Sequence, residues 1–273
     1  MNKLKQTFGN WALVTGASSG IGEEFSRQIA ASGMNVVLIA RRRDKLDTLA
    51  IELSADHGVE TIIIEQDLSK DNAVENITQK TRGFDIGLII SNAGDGAMGG
   101  FLKREASQFE QAIKLNLLTP VKLAHHFLQK MYASKQKGGL LLVSSAIAVG
   151  GAPYISDYSA TKAYQLNMGQ ALHHELLSAG INVTVLMPGP TRTEAYQRDD
   201  IDFNKLPIPP MSVKRVVSTA LKGITKNKPV VIPGVMNNIM DFMSRHLLSR
   251  NMTSKMFGLM MKGLIAPKYR YEG

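Results

Sequence analysis

A phenol and an ammonium group stand four residues apart in this sequence, at Tyr158 and Lys162. Residues at i and i+4 share one face of a helix, so both groups can point at the same site. A nearby positive charge favours phenolate and lowers a tyrosine pKa from about 10 towards neutral pH. Ser145, at the end of an apolar run, supplies a hydroxyl that could polarise a carbonyl. The three side chains together could pass a proton to a carbonyl oxygen, although the Tyr–Lys pair alone is a weak signal.

A glycine-rich segment, TGASSGIG at residues 15–22, follows the first apolar run. Glycines allow a tight turn and a close approach by a pyrophosphate, which the free N–H groups of a helix N-terminus then hold. An ordinary strand-to-helix turn is the alternative, and three spaced glycines favour nucleotide binding over it. The candidate residues of this segment are Gly16, Ser18, Ser19, Gly20, Ile21 and Gly22.

The end of the second apolar run indicates which nucleotide binds. An acidic residue at this place holds the 2′-hydroxyl of NAD, whereas arginine suits a 2′-phosphate. Here Ala40 is followed by three arginines, and the first carboxylate is Asp44. The sequence therefore predicts NADP(H), with Arg41 as the principal phosphate ligand. Arg42 is a second candidate, although it and Arg43 could equally begin a solvated helix.

Apolar runs alternate with helical patterns through the first 190 residues, which predicts an α/β fold of the Rossmann type. Such a fold is a doubly wound parallel sheet with helices on both faces. Its ligands bind outside the carboxyl ends of the strands, where the motifs above lie. The predicted strands are 11–15, 35–40, 61–65, 86–91, 139–144, 182–187 and 229–232. The predicted helices are 21–32, 43–55, 72–82, 105–133, 156–179 and 212–225.

Length and composition exclude several other classes of protein. A chain of 273 residues without cysteine can hold no disulfide framework, thiolate metal site or cysteine nucleophile. The two pairs of adjacent histidines point about 100° apart on a helix, so we expect no metal site. The net charge of +9 lies entirely in residues 201–273, with 12 Lys and Arg against 3 Asp and Glu. Because residues 1–200 are neutral, we do not expect a nucleic-acid partner.

The motifs, in their order, resemble the short-chain dehydrogenase/reductase family over roughly residues 11–235. The resemblance is carried by the glycine segment, Ser145, Tyr158 and Lys162, and by Asp67, Leu68, Asn92, Ala93, Gly94, Asn116, Pro188, Gly189, Thr191 and Thr193. The sequences around the three arginines and after Pro188 are similar to those of NADPH-dependent 3-oxoacyl and hydroxysteroid reductases of that family. One departure is Ser91, where the family often has asparagine.

The resemblance implies a role for each residue of the catalytic set. Tyr158 would be the general acid and base, and Ser145 would orient the substrate oxygen. Lys162 would hold the nicotinamide ribose and lower the Tyr158 pKa, while Asn116 would anchor a water that relays protons. The remaining residues would bind the cofactor: Asp67 and Leu68 at the adenine, Asn92, Ala93 and Gly94 along the cleft, and Pro188, Gly189, Thr191 and Thr193 around the nicotinamide.

The C-terminal part of the chain carries no catalytic motif. The segment 189–210 lacks periodicity and would cover the active site. Its residues Phe203, Leu206 and Ile208 suggest an apolar substrate, and an ordinary packed loop explains them equally well. Seven of the 14 methionines lie between residues 236 and 261. They form two predicted helical stripes, Met236, Met240, Met243 and Leu247, then Met252, Met256, Leu259 and Met260. This basic extension could pack on the domain or a partner subunit, or meet an anionic membrane or an acidic acyl carrier.

We therefore expect a catalytic domain over 1–235 with a helical extension over 236–273 of the same domain. Its predicted activity is the NADPH-dependent reduction of a ketone or aldehyde, a 3-oxoacyl group or another lipophilic carbonyl included. The alternative is a catalytically idle NADP(H)-binding regulator or scaffold. The sequence shows no signal peptide or membrane-spanning stretch, so we expect a soluble cytoplasmic protein. The family resemblance implies a homodimer or homotetramer.

Overall fold

The computed structural model describes residues 3–194, 202, 205–206 and 208–271. Phe203, one of the three apolar residues expected near the substrate, lies outside the described residues. The catalytic set and every residue expected to bind the cofactor lie within them.

The seven predicted strands form one parallel sheet. They are β1 Trp11–Thr15, β2 Asn35–Ala40, β3 Thr61–Glu65, β4 Ile86–Ser91, β5 Gly138–Val143, β6 Ile181–Leu186 and β7 Val230–Val231. Their order across the sheet is β3-β2-β1-β4-β5-β6-β7. From β1 the chain first adds β2 and β3 on one side, and then crosses to the other side, where β4 to β7 follow. Such sheets bind their ligands at this topological switch point beside β1. The predicted Rossmann-type fold is confirmed.

The helices cover both faces of the sheet. They are α1 Lys3–Phe8, α2 Gly20–Ala30, α3 Arg43–His57, α4 Ala73–Lys80, α5 Ala106–Ile113, α6 Thr119–Ala133, α7 Ser156–Glu175, α8 Val213–Thr225, α9 Val235–Phe242 and α10 Arg250–Leu264. One apolar core lies between the sheet and α2, α3 and α8, and a second between the sheet and α4 and α6. Helix α7 packs close to β6, because a Cβ on Gly169 would stand 2.3 Å from Val185.

The stretch predicted as one helix over 105–133 contains a π-helical turn at Lys114–Leu118. Pro120, in the first turn of α6, has no N–H, so the carbonyl of Asn116 lacks the donor that an α-helix would give it. The widened turn leaves this carbonyl free for another partner. Such π turns occur frequently at functional sites.

The tail is helical, as the sequence predicted. In α10 the fully buried side chains are those of Phe257, Met261 and Leu264, which pack with Ile147 and Ile155. Of the predicted stripe, Met256 and Met260 are half-buried against this cluster, whereas Met252 and Leu259 are exposed. No helix among the described residues has the length and apolar character needed to cross a bilayer.

Candidate active site

A polar cleft of about 730 Å³ opens at the carboxyl ends of β1, β2 and β4. It brings together most residues predicted to bind the cofactor, which are far apart in sequence. They are Gly16, Ser18, Ser19, Gly20, Ile21, Arg41, Arg42, Asp67, Leu68, Asn92, Ala93, Gly94, Tyr158, Lys162, Pro188 and Thr193. The parallel sheet explains this gathering, because all its strands end at the same edge.

The glycine segment is a tight turn that only glycine can form at two positions. Gly16 has φ of 69°, in the left-handed region. A Cβ on Gly22 would stand 2.1 Å from the carbonyl oxygen of Gly16, so Gly22 packs the turn and does not line the cleft. The side-chain amide of Asn92 donates to the Thr15 carbonyl at 3.0 Å, which fixes β4 against this turn.

Two arginines after β2, Arg41 and Arg42, line the cleft and have different neighbours. Arg42 donates to the Ser18 hydroxyl at 3.2 Å and forms an ion pair with Glu194 at 2.9 Å. The hydrogen bond from Arg42 lowers the pKa of Glu194. Arg41 lines the cleft near Asp67. Glu194 was not predicted as a site residue, since it lies 152 positions from Arg42 and no local spacing connects them.

Asp67 is held in its ionised form. Burial acts to raise its pKa, but hydrogen bonds from the Ser69 amide and hydroxyl, with the charge of Arg41, lower it below the usual value. The Ser69 hydroxyl donates to Asp67 Oδ1 at 2.7 Å. A fixed carboxylate at the edge of the cleft can accept hydrogen bonds from a ligand.

Tyr158 lies on the first turn of α7, where the polar cleft meets a second, apolar cavity. Burial raises the pKa of its phenol to about 12, against a smaller opposite effect of the hydrogen bond to Ser145. The lowering of this pKa by Lys162 stays a prediction. The Lys162 Nζ lies 5.6 Å from the centroid of the Tyr158 ring, and burial of the phenol is the larger influence here.

Lys162 is buried too, and burial lowers the pKa of its amine to about 7. Its Nζ donates to the Val143 carbonyl at 2.7 Å and to Gln165 Oε1 at 3.1 Å. The Gln165 amide in turn donates to the Asn116 carbonyl at 2.7 Å. Gln165 therefore connects Lys162 directly to the main chain at Asn116, and the water relay at Asn116 stays a prediction. Its position three residues after Lys162 on one helix is a signal that could have found it.

Asn116 is fully buried in the π turn. Its side chain accepts from the Asp95 amide at 3.0 Å and donates to the Asp95 carbonyl at 2.6 Å. Asn116 lines neither cavity. Its side chain fixes the loop after β4, and its main-chain carbonyl, freed by Pro120, receives Gln165.

A buried ion pair lies beside Tyr158. Arg104 binds both carboxylate oxygens of Asp157, at 2.6 and 3.1 Å, and each side chain is less than 10% exposed. The guanidinium also lies 4.2 Å from the centroid of the Phe109 ring. Because Asp157 precedes Tyr158, this pair fixes the start of α7 against the segment before α5. The sequence gave no sign of it, since the partners are 53 residues apart.

The second cavity, of about 220 Å³, is lined mainly by apolar side chains and receives several from the tail. Met98, Ile147, Ile155, Leu206 and Ile208 contribute from the main body. The tail contributes Asn237, Met240, Asp241, Ser244, Phe257, Met260, Met261 and Leu264. Ser145 and Tyr158 reach this cavity from the side of the polar cleft, so a carbonyl in it could meet both hydroxyls.

Besides Gly22, two predicted cofactor residues, Gly189 and Thr191, do not line the cleft. Gly189 lines the apolar cavity, where its Cα stands against Asn237. Thr191 is buried away from both cavities, and its hydroxyl donates to the Gly189 carbonyl at 2.9 Å. Thr191 pairs with Met211 in an isolated β-bridge, which holds it away from the cleft. Thr193 reaches the cleft and lies 3.2 Å from the Cβ position of Gly20.

Comparisons with known proteins agree with this geometry. The family model for short chain dehydrogenase matches residues 10–202. A 7beta-hydroxysteroid dehydrogenase of Collinsella aerofaciens is 34% identical over 190 residues, 70% of this chain and 72% of that protein. The human 17-beta-hydroxysteroid dehydrogenase type 3 is 35% identical over 185 residues, 67% of this chain and 59% of that protein.

Two solved structures share the fold over nearly the whole chain. A 7beta-hydroxysteroid dehydrogenase superposes with a TM-score of 0.86 at 28% identity, covering 94% of this chain and 99% of the other. A short-chain dehydrogenase from Sphingobium yanoikuyae, solved in complex with NADPH, gives a TM-score of 0.78 at 31% identity and covers 88% and 96%. The chain therefore belongs to the short-chain dehydrogenase family of oxidoreductases.

Proposed function

We propose that this protein reduces a lipophilic ketone or aldehyde to an alcohol with NADPH, using Tyr158 as the general acid. One observation carries the proposal: Tyr158 stands where a polar cleft of nucleotide-binding character joins an apolar cavity. A catalytically idle NADP(H)-binding regulator needs the cleft alone. It has no need of a buried phenol and a serine hydroxyl facing a second cavity.

The residues of the cleft fit NADP(H). The tight approach of Gly22 to Gly16 leaves room for a pyrophosphate at the N-terminus of α2. No carboxylate follows β2 directly, and the guanidinium of Arg41 suits a 2′-phosphate. When bound, NADPH supplies a hydride to the carbonyl carbon. The NADPH complex of the related Sphingobium enzyme supports this choice of cofactor.

The protonation states suit the direction of reduction. A Tyr158 pKa of about 12 keeps the phenol protonated at neutral pH, which is the form that gives a proton to a carbonyl oxygen. Ser145, which is hydrogen-bonded to Tyr158, orients the same carbonyl oxygen of the substrate. Lys162, with its pKa near 7, can return a proton to the tyrosine at working pH.

The lining of the second cavity indicates the substrate class. Methionine and aliphatic side chains offer a bulky ketone an adaptable apolar surface. A small polar substrate would leave these side chains in contact with water. The related hydroxysteroid dehydrogenases and a very-long-chain 3-oxoacyl-CoA reductase of Podospora anserina, 34% identical over 180 residues, support a lipophilic carbonyl.

The test is NADPH oxidation with a panel of bulky ketones, aldehydes and 3-oxoacyl thioesters. Wild type, Tyr158→Phe and Tyr164→Phe would be compared, with NADPH binding measured for each. Tyr164 is a matched control, because it lies on the same helix and is 42% exposed. We expect Tyr158→Phe to lose about 10²- to 10⁴-fold in kcat and keep NADPH binding. Tight NADPH binding without turnover by wild type would favour the idle regulator.

We also propose a homodimer or homotetramer and a cytoplasmic location. Both rest on the family, and light scattering on the purified protein tests the first. Cell fractionation tests the second.

A further inference from the structure

The helix α9 and the π turn Met243–Leu247 after it turn much of their polar surface inward. Asn237, Asp241 and Ser244 line the apolar cavity, whereas the polar side chains of Asn238, Arg245 and His246 are exposed. A surface helix of a soluble protein normally turns its polar face to water. This inward orientation indicates that the outer face of α9 contacts an apolar medium.

The outer face carries six exposed apolar side chains, which we call the α9 patch. They are Val235, Met236, Ile239, Phe242, Met243 and Leu247, and their exposure runs from 41% at Met243 to 73% at Val235. Spacings of three and four residues place them on one side of the helix. A contiguous apolar surface of this kind marks an interaction site with another protein or a membrane.

The charges around the patch have one sign. Over the described tail, residues 235–271, the exposed charged side chains are all basic: Arg245, Arg250, Lys255, Lys262 and Lys268. Its single carboxylate, Asp241, is half-buried and paired with Arg245 at 2.8 Å. A lysine or arginine near an anionic lipid surface contributes about 1 kcal/mol of attraction.

We propose that the α9 patch binds the surface of an anionic phospholipid bilayer, with α9 lying in the interfacial plane. The apolar side chains enter the boundary between headgroups and acyl chains, and the flanking basic residues meet the phosphates. A second copy of this chain is disfavoured, because a symmetric contact would bring basic flanks together. An acidic protein partner would match the charge but would need a groove to receive the protruding side chains.

The inner and outer faces of α9 together indicate a function for the α9 patch. The inner face lines the cavity for a lipophilic substrate, so docking places that cavity directly above the bilayer in which such a substrate dissolves. This consequence rests on the proposed function. The binding itself does not, because it is measured without turnover.

The experiment is flotation of the full chain with vesicles of phosphatidylcholine alone and of equimolar phosphatidylcholine and phosphatidylglycerol. The variant is the double substitution Ile239→Glu with Phe242→Glu, whose side chains line neither cavity. The matched control is Ile51→Glu on α3, an apolar side chain that is 70% exposed at the opposite edge of the sheet. Unchanged NADPH binding verifies that each variant is folded.

We expect wild type and Ile51→Glu to bind the anionic vesicles more tightly than the neutral ones. The double variant should bind them at least about tenfold more weakly, since burying one such apolar side chain is worth roughly a factor of ten. Failure of wild type to bind either vesicle overturns the proposal. The proposal is also overturned if wild type is a dimer that the double variant dissociates. Binding of wild type to an acidic carrier protein but not to lipid overturns it too.

A second readout uses the reaction. With a bulky ketone dissolved in the anionic vesicles, the double variant should lose kcat/KM by the same factor as its vesicle affinity. With a water-soluble ketone its kcat/KM should equal that of wild type. Equal loss with both substrates would show damage to the active site and overturn the docking role.

Discussion

The two cavities that meet at Tyr158 are built from different kinds of sequence. The polar cleft comes from residues between 16 and 194, most of which belong to short motifs at strand ends. The apolar cavity takes its walls from residues between 98 and 264, with α9 and α10 supplying many of them and no recognisable motif. A nucleotide needs fixed hydrogen bonds and a tight turn, which constrain residue types. An apolar substrate needs only shape and hydrophobicity, which many side chains provide.

The cavities also differ in how they keep charge. The cleft holds Arg41, Arg42, Asp67 and Glu194. Hydrogen bonds and opposite charges lower the pKa of Asp67 and of Glu194, which keeps both carboxylates ionised. The apolar cavity contains one carboxylate, Asp241, which Arg245 neutralises. Substitutions in the cleft should therefore act through charge, whereas those in the apolar cavity should act through shape.

The largest effect on stability should come from the buried Arg104–Asp157 pair, because Asp157 directly precedes Tyr158, where the two cavities meet. Arg104→Ala leaves the Asp157 carboxylate buried without its partner, and we expect the free energy of unfolding to fall by about 3–5 kcal/mol. Urea denaturation measures it. The control is Arg43→Ala, which removes the exposed pair with Asp47 and should change stability by less than about 1 kcal/mol. Equal changes would show that the buried pair is not what fixes the start of α7.

A smaller effect, confined to the cleft, should follow Arg41→Ala. Loss of a charged hydrogen bond to the 2′-phosphate should weaken NADPH binding by about 10- to 100-fold and leave NADH binding unchanged. Fluorescence titration with both cofactors measures this, with Arg43→Ala as the control of equal charge. Equal weakening for NADPH and NADH would assign the phosphate to another residue, Arg42 being the first to test.

The substitution Lys162→Met tests how burial acts on the amine of Lys162. Because burial lowers the pKa of Lys162 to about 7, the unfolded chain binds more protons than the folded one between about pH 7 and 10.5. Wild-type stability from this residue is therefore lowest below pH 7 and rises towards pH 10.5. We expect the variant to be more stable than wild type by on the order of 2 kcal/mol at pH 6.5, with the difference shrinking at higher pH. Denaturation across this range measures it, and a difference independent of pH would contradict it.

The smallest effect should come from Glu194→Gln at the mouth of the cleft. Its carboxylate competes with a bound phosphate for Arg42, and the pair is exposed, so its contribution is under about 1 kcal/mol. We expect NADPH to bind about two- to fivefold more tightly, as measured by calorimetry. Glu194→Asp keeps the charge and should bind NADPH like wild type. Weaker binding by Glu194→Gln would mean that the carboxylate supports the site.

The sequence predicted the sheet and the cofactor side well, because their signals are local. Strands β1 to β4 begin and end where the apolar runs do, and the motif residues reach one cleft because parallel strands share an edge. Thr191 lies away from both cavities, where it pairs with Met211 in an isolated β-bridge that no local motif encodes. Spacing reveals a lysine near Tyr158, but it does not reveal the burial that raises the pKa of the phenol and lowers the pKa of the Lys162 amine.

Sequence alone thus determined the family, the fold and the glycine turn, and it predicted Tyr158 as the general acid, since all of these follow from short motifs. Only the tertiary structure decided the Arg104–Asp157 pair, the Arg42–Glu194 pair, the packed face of α10 and the orientation of α9. These depend on contacts between residues tens to more than a hundred positions apart, which no local pattern encodes. The exception is Gln165, whose link to Asn116 needed both a local spacing and the missing N–H of Pro120.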